Sequence, residues 1–212
     1  MNKLSQFIST IFHPILLPTW MFLIFIVTGI CEVSFVRADV CLVIIFGTTF
    51  ILPAITLLIL KKFKVIESIT MEKRSDRFIP LFVMIVFLYA TSRFFNGIHA
   101  LALYNFYLIC NLMLCVVVFW INLFWKISMH GIGWGAFVAT LLIMSTMSSL
   151  LYLPYFILSI ILSGIVGYAR LYLKSHTESQ VYVGFVVGFI VVQVLYQLTI
   201  EDNKKGCECN LI

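Results

Sequence analysis

Seven long runs of apolar residues divide this sequence, and they constrain its fold more than any other feature. The runs cover roughly residues 15–31, 39–60, 78–92, 100–125, 132–151, 153–169 and 180–199. A helix needs about 20 mostly apolar residues to cross a bilayer, and most of the runs are close to that length. They are continuous and do not alternate with polar residues, which argues against a membrane β-barrel. The sequence therefore predicts an all-α polytopic transmembrane helical bundle.

The number of spans depends on one weak run. Residues 78–92 are short for a span and are bracketed by Arg77 and Arg93, so the sequence predicts six or seven spans. Leu153-Pro154 predicts a very tight turn between the fifth and sixth runs, which makes those two helices antiparallel neighbours. We expect a single transmembrane domain over 1–200 and a polar C-terminal tail over 201–212 that frays.

Composition excludes the main soluble classes. Hydrophobic residues make up 62% of the chain and charged residues 11%, whereas soluble domains contain about 45–50% apolar and about 25% charged residues. A soluble domain, a disordered chain and a nucleic-acid-binding module are all incompatible with these values. The net charge of +5 is a small excess. In a membrane protein it indicates lipid headgroups, topology or a phosphate site, and no nucleic acid partner.

Small residues at helical spacing predict where helices approach closely. Gly131 and Gly135 form one G-x-x-x-G pattern, and Gly184 and Gly188 form another. Gly164 and Gly167 add a third patch of small residues. In membranes such patterns let two helix backbones come into contact, so we interpret them as packing sites.

The cations are distributed unevenly between the two membrane faces. With seven spans, ten Lys and Arg residues fall on one face and four on the other, Arg37, Arg93, Lys204 and Lys205. By the positive-inside rule the richer face is cytoplasmic. The ten residues on this face are Lys3, Lys61, Lys62, Lys64, Lys73, Arg74, Arg77, Lys126, Arg170 and Lys174.

Two histidines on the richer face lie at the mouths of helices. Ser175-His176-Thr177-Glu178 has the spacing of a capping box, which predicts Ser175 as the N-cap and places His176 in the first turn. Near the start of the fifth span, Lys126, Ser128 and His130 precede a glycine-rich stretch. Free backbone N–H groups at a helix start attract anions. His13 and His99 are expected to be structural.

These residue types together suit a phosphate group. Arg74 and Arg77 are three residues apart, so both can reach one ligand, and arginine forks match phosphate oxygens. One imidazole can attack phosphorus while another protonates the leaving oxygen. The acidic residues nearby have no clear divalent-ligand spacing, and the site is expected to need no metal or other cofactor.

Two stretches resemble motifs of the type 2 phosphatidic acid phosphatase superfamily. The segment 127–130, Ile-Ser-Met-His, resembles its Pro-Ser-Gly-His element at Ser128 and His130. Arg170, five intervening residues and His176 resemble the family's R-x5-H element. The family's K-x6-R-P element is only loosely similar here, since Arg77 matches the arginine, Thr70 stands at the lysine position and the proline comes two residues late.

The resemblance, which spans about residues 70–188, implies an all-helical, metal-independent membrane phosphatase that acts on lipid phosphates or isoprenoid diphosphates. It implies that His176 is the nucleophile that becomes phosphohistidine and that His130 is the general acid. It implies phosphate binding by Arg77, Ser128 and Arg170, to which position along the chain adds Lys126 and Arg74. It also implies a bacterial inner-membrane protein with a periplasmic site. This orientation opposes the charge count, and we favour it because five of the ten cations belong to the expected site.

Gln180 departs from the family pattern, which has aspartate four residues after the nucleophile. His176 and Gln180 lie one turn apart on one helix face. An amide oxygen orients the imidazole ring but stabilises imidazolium less than a carboxylate does. A catalytically inactive lipid-phosphate-binding or scaffold protein is therefore the alternative prediction. A transporter is less favoured because no ionisable residue lies deep within a span, and a prenyltransferase because no aspartate-rich motif is present.

Overall fold

The computed structural model of the chain describes residues 2–29, 37–68 and 73–209. These residues form α-helices joined by short segments, and no strand occurs among them. The α-helices are α1 Asn2–Ile11, α2 Leu17–Val27, α3 Ala38–Phe46, α4 Leu52–Lys62, α5 Phe78–Phe95, α6 Ala102–Phe124, α7 Met129–Met147, α8 Ser149–Tyr172 and α9 Glu178–Cys209. The predicted all-α fold is confirmed.

Seven helical segments in this part of the chain are long and apolar enough to cross a membrane. They are Lys3–Val27, Ala38–Lys62, Ser75–Phe95, Ala102–Phe124, Met129–Met147, Leu150–Tyr172 and Glu178–Ile200. The weak run at 78–92 thus belongs to a 21-residue segment, because the helical turn Ser75–Arg77 and the last turn of α5 lengthen it. The protein is an integral membrane helical bundle, and length and composition favour seven spans over six.

Local sequence explains two irregular spans. In the second, a π-helical turn at Gly47–Ile51 joins α3 to α4 just before Pro53. Proline has no N–H for the usual helical bond, and a wider turn accommodates its ring. In the first, Phe12 and His13 separate α1 from the 3-10 turn Pro14–Leu16, which leads into α2. The apolar run predicted from residue 15 is therefore preceded by a separate helix.

The turn between the fifth and sixth spans lies elsewhere than predicted. Ser148 is extended and separates α7 from α8, whereas Pro154 lies inside α8. Early in a helix, proline removes only the bond to the carbonyl four residues before, here Leu150. The expected neighbour relation holds, since α7 packs closely against α8. The tail also differs, because α9 continues through Cys209 and residues 210–212 lie outside the described part.

Helix α7 forms the centre of the bundle. Of its most apolar window, 72% is buried, against 17–33% for the other six spans. Its most extensive contacts are with α9, where the predicted glycine patterns face each other. A Cβ added at Gly135 would overlap the Phe185 carbonyl, and one at Gly188 would overlap the Ile132 carbonyl. The two backbones are in direct contact here, and the predicted close packing is confirmed.

The third glycine patch is only partly a contact. A Cβ at Gly167 would meet Val181 Cγ1 at 3.4 Å, an ordinary van der Waals distance. One at Gly164 would meet nothing within 4 Å. Gly164 therefore does not mark a helix contact within the described bundle.

Candidate functional site

The starts of α7 and α9 lie side by side at one end of the bundle. Ser128 caps α7, since its Oγ accepts from the Gly131 N–H at 3.3 Å. The backbone N–H of Ser128 donates to the Gln180 carbonyl at 3.2 Å. We call this end the basic end, and it carries the described connecting residues 63–68, 73–74, 125–128 and 173–177. The predicted helix start after Ser128 is confirmed.

The cap of α9 is shifted from the prediction by two residues. The Gln180 N–H approaches Thr177 Oγ1 at 3.4 Å, and the Thr177 N–H donates to Gln180 Oε1 at 3.3 Å. This reciprocal pair is a capping box in which Thr177 is the N-cap, with Gln180 three residues on. The predicted box of Ser175 and Glu178 is wrong, and His176 precedes the helix instead of lying in its first turn. Thr-x-x-Gln satisfies the capping pattern as well as Ser-x-x-Glu does.

Gln180 fixes the imidazole of His176 as well. Its Oε1 lies 2.9 Å from His176 Nδ1. The same atom accepts from the Thr177 N–H, which identifies it as the amide oxygen. His176 Nδ1 must therefore carry the hydrogen, and the lone pair of the neutral ring lies on Nε2. The Gln180 amide oxygen thus orients the His176 ring, which is the role that the sequence analysis gave to an amide at this position.

The surroundings of His176 favour its neutral form. The pKa of His176 is lowered from an ordinary 6.5 to about 4, mainly by burial and also by the charges of Arg170, Arg77 and Lys126, while the hydrogen bond with Gln180 opposes the shift. Near pH 7 the imidazole is therefore uncharged. Three cations from separate segments, Arg170, Arg77 and Lys126, lie close enough to His176 to act on its charge.

His130 lies at the second position of α7 and is buried. Its Nε2 lies 3.1 Å from the Ser9 carbonyl oxygen and 3.3 Å from Ser9 Oγ. A carbonyl only accepts, so Nε2 carries a hydrogen in this arrangement. Arg170 Nη1 donates to the same Ser9 Oγ at 2.9 Å. Ser9 therefore joins Arg170 to His130, and we call Arg77, Lys126, His130, Arg170 and His176 the basic cluster.

Ser9 and His13 belong to this site although the sequence did not assign them to it. The ring centroids of His13 and His130 are 5.0 Å apart. His13 Nδ1 also accepts from the Ile15 N–H at 3.3 Å, so it caps the next turn as a structural residue does. The sequence feature that could have pointed to Ser9 is its spacing of one helical turn from Ser5. In the structure both serines lie on α1 and are buried. His99, by contrast, lies at the opposite end of the bundle, between α5 and α6.

Arg77 and Arg74 bond to different backbone carbonyls near the start of α7. Arg77 is buried, and its Nη1 donates to the Ile127 carbonyl at 2.8 Å. Arg74 is exposed and donates from Nη1 to the Phe124 carbonyl at 2.7 Å, the last residue of α6. A cation is favourable there because the final carbonyls of a helix carry partial negative charge. Arg74 is thus observed as a helix cap, which differs from the prediction that it shares a ligand with Arg77.

One hydrogen-bond donor of Arg170 is unsatisfied among the described residues. Its Nε is buried and has no hydrogen-bond partner among the described residues. An unsatisfied buried donor costs about 1–3 kcal/mol, and more when it is charged. Such a donor beside a neutral imidazole is suited to an anionic oxygen.

Two acidic residues of this region, Glu67 and Asp76, bond within the segment before α5. Glu67 pairs with Lys73, and Asp76 accepts from the Glu67 N–H at 3.1 Å, so both hold the segment before α5. Among the described residues no three His, Cys, Asp or Glu side chains are grouped as metal ligands. Thr70, at the family's lysine position, lies outside the described residues.

Ser9→Ala tests the link between α1 and the basic cluster. We expect it to lower the free energy of unfolding by about 1–3 kcal/mol, because Arg170 Nη1 loses its acceptor, the Ser9 hydroxyl, whereas the Ser9 carbonyl still accepts from His130 Nε2. Thermal unfolding in detergent measures the effect. Ser5→Ala is the matched control, since Ser5 is buried on the same face of α1 one turn away. Equal stability of the two variants would show that the Ser9 link contributes nothing.

Compared with known proteins, the chain matches no family model, no curated protein and no solved structure. The functional argument therefore rests on the residues and geometry described above.

Proposed function

We propose that this protein is a metal-independent membrane phosphatase that hydrolyses a lipid or isoprenoid phosphate through a phosphohistidine intermediate. The observation that carries the proposal is the state of His176. Its ring is neutral, its Nδ1–H is held by Gln180, and Arg170, Arg77 and Lys126 surround it. A neutral imidazole with a directed lone pair is a nucleophile, and surrounding cations stabilise the charge of a phosphoryl group.

The proposed reaction has two steps, and in each of them one bond to phosphorus forms while another breaks. His176 Nε2 attacks phosphorus, an N–P bond forms, and the bond from phosphorus to the lipid oxygen breaks. The lipid oxygen takes a proton and leaves as an alcohol, or as a phosphate from a diphosphate. Water then attacks the phosphohistidine, releases inorganic phosphate and restores the neutral imidazole. Arg170 Nε and Arg77 hold the phosphoryl oxygens, with Lys126 and the Ser128 hydroxyl beside them.

His130 is the proposed proton donor, and its contact with Ser9 supports a route through that residue. Its Nε2 faces Ser9, whose Oγ also contacts Arg170. In its imidazolium form His130 gives its Nε2 proton to the Ser9 hydroxyl, and Ser9 passes its own hydrogen to the leaving oxygen. The neutral ring of His130 then regains a proton from the water that attacks the phosphohistidine. General acid catalysis of this kind contributes about 10²–10⁴-fold to a rate.

Phosphate release by the purified protein in detergent tests the proposal. The substrates are phosphatidic acid, phosphatidylglycerol phosphate, undecaprenyl diphosphate and lipid A, each with and without a chelator. We expect turnover of at least one substrate that survives the chelator. Headgroup binding without turnover by the folded protein would instead support the non-catalytic alternative, for which the neutral Gln180 is the specific observation.

The proposed location is the bacterial inner membrane, with the basic end facing the periplasm. Several cations that count towards a cytoplasmic assignment serve the structure or the site. Arg77 and Arg170 bond within the bundle, Arg74 caps α6, and Lys126 lies near His176. Access of a membrane-impermeant reagent to a cysteine placed at Lys174, compared with one placed at Arg93, tests the orientation.

Gln180→Glu tests the electrostatic role of the amide. Glutamate keeps the acceptor for Nδ1 and for the Thr177 N–H but adds a negative charge, which raises the pKa of His176. The nucleophile must be neutral, so the acid limb of kcat/KM lies near pH 4 in the wild type and moves to higher pH in the variant. We also expect kcat to rise by about 10-fold or more, because a carboxylate supports developing imidazolium.

Gln180→Met is the matched control for this measurement. Methionine has a similar length but is a poor acceptor, so the ring loses its orientation and kcat falls while no carboxylate raises the pKa of His176. An acid limb that stays unchanged in Gln180→Glu would show that His176 is not the titrating group.

A further inference from the structure

An apolar groove lies beside the basic cluster, between the first, fifth and sixth spans. Its volume is about 300 Å³, and Phe12, Leu17, Val27, Trp134 and Leu162 are among its lining residues. The lining surface is wholly apolar. Ser159 contributes to it, but the Ser159 hydroxyl is already bonded to the Phe156 carbonyl at 2.7 Å. The groove therefore has nothing to offer a polar ligand.

The groove is cut into the bundle and is not simply its lipid-facing surface. Leu17 is 1% exposed, Trp134 3% and Ser159 2%, so the floor belongs to the packed interior. At the rim, Val27 is 72% exposed. A groove with a buried floor and an open rim admits a chain sideways from the bilayer.

One end of the groove lies next to the basic cluster. Trp134 follows His130 by one helical turn on α7, and its Nε1 donates to the Phe12 carbonyl at 3.2 Å. Phe12 directly precedes His13, whose ring contacts that of His130. A ligand with its head among the cations can therefore continue directly into apolar surroundings.

The dimensions of the groove suit one hydrocarbon chain. The lining residues Leu17 and Val27 are ten positions apart, or about 15 Å along the helix axis. This is about half of a hydrocarbon core that is about 30 Å thick. A volume of about 300 Å³ over that length gives a mean section of about 20 Å², or a width of about 5 Å. Packed carbon atoms are about 3.5–4.0 Å apart, so a single chain fits and two side by side do not.

We propose that this groove binds the single hydrocarbon chain of an anionic lipid phosphate, with the phosphate at the basic cluster. The inference rests on the proposed function and narrows it. The preferred substrate class is a single-chain lipid phosphate or diphosphate, because a two-chain phosphatidic acid must splay its chains and leave one outside the groove. An isoprenyl phosphate is the single-chain probe.

Adjacent positions on α8 offer a matched test of the groove. Leu162 lines it, whereas Ile161 faces outward and is 55% exposed. We compare kcat/KM for a long isoprenyl phosphate and a short-chain phosphate. Leu162→Trp is expected to lower the long-to-short ratio more than 10-fold, and Ile161→Trp to leave it unchanged. Ser159→Phe, which fills the floor, is the second groove variant if Leu162→Trp does not fold.

Photolabelling separates the groove from the catalytic proposal. An isoprenyl phosphate with a photoreactive group near its chain end is crosslinked to the intact protein, and the labelled residues are mapped by mass spectrometry. We expect labels on groove residues, with competition by unlabelled isoprenyl phosphate and weaker competition by dioleoyl phosphatidic acid.

The outcomes distinguish the two ideas. Groove labelling without turnover of any substrate would retain the binding site and reject the phosphatase. Turnover with labels spread over the outer surface, or equal competition by phosphatidic acid, would overturn the groove and retain the phosphatase. Absence of any groove label overturns the inference whatever the turnover.

Discussion

His176→Ala is expected to abolish phosphate release, with a loss on the order of 10³-fold or more in kcat. Removal of a nucleophile in other covalent mechanisms costs on the order of 10⁶-fold. In this protein the loss follows from one atom, His176 Nε2, which holds the lone pair directed by the bond from Nδ1 to Gln180. The remaining cations still bind phosphate, so we expect substrate binding to be retained.

The control and the readouts make this result interpretable. His99→Ala removes a histidine at the opposite end of the bundle and is expected to leave kcat unchanged. Rapid quenching of a labelled substrate is expected to trap acid-labile phosphate on the wild type and on His99→Ala, and none on His176→Ala. Turnover above one tenth of wild type in His176→Ala would reject His176 as the nucleophile, provided that both variants unfold at the same temperature.

Gly135→Ala is expected to destabilise the contact between α7 and α9. Its Cβ would overlap the Phe185 carbonyl on α9, which is backbone and has no rotamer to escape into. The helices must separate, and overpacking of this kind costs about 1–3 kcal/mol. Separation also strains the bond between the Ser128 N–H and the Gln180 carbonyl, so we expect lower activity together with a lower unfolding temperature.

Gly164→Ala is the control for this variant. It is also a glycine within a membrane span, but a Cβ there meets nothing within 4 Å. Both substitutions raise helix propensity, by about 1 kcal/mol in soluble hosts. The difference between their unfolding temperatures therefore isolates the contact between α7 and α9. Equal unfolding temperatures would show that this contact does not limit stability.

The candidate site was partly predictable because its members lie near helix starts. Ser128 and His130 follow a polar stretch that begins α7, and Arg170 and His176 flank the short connection between α8 and α9. Successive connections of a helical bundle alternate between its two ends. The number of spans therefore predicts that these segments lie at the same end. The contact of Arg74 with the Phe124 carbonyl came only from the structure, because spacing indicates that two arginines share a helix face but not which acceptor each finds.

The sequence by itself determined the class of protein and the close contact of two helices. Long continuous apolar runs predict transmembrane helices, because a helix satisfies its own backbone hydrogen bonds within lipid. Paired glycine patterns let two helix backbones come into contact. Only the tertiary structure decided that Ser9 and His13 reach His130. Those contacts join residues up to 121 positions apart. They depend on how α1 packs against α7 and α8, which no local pattern specifies.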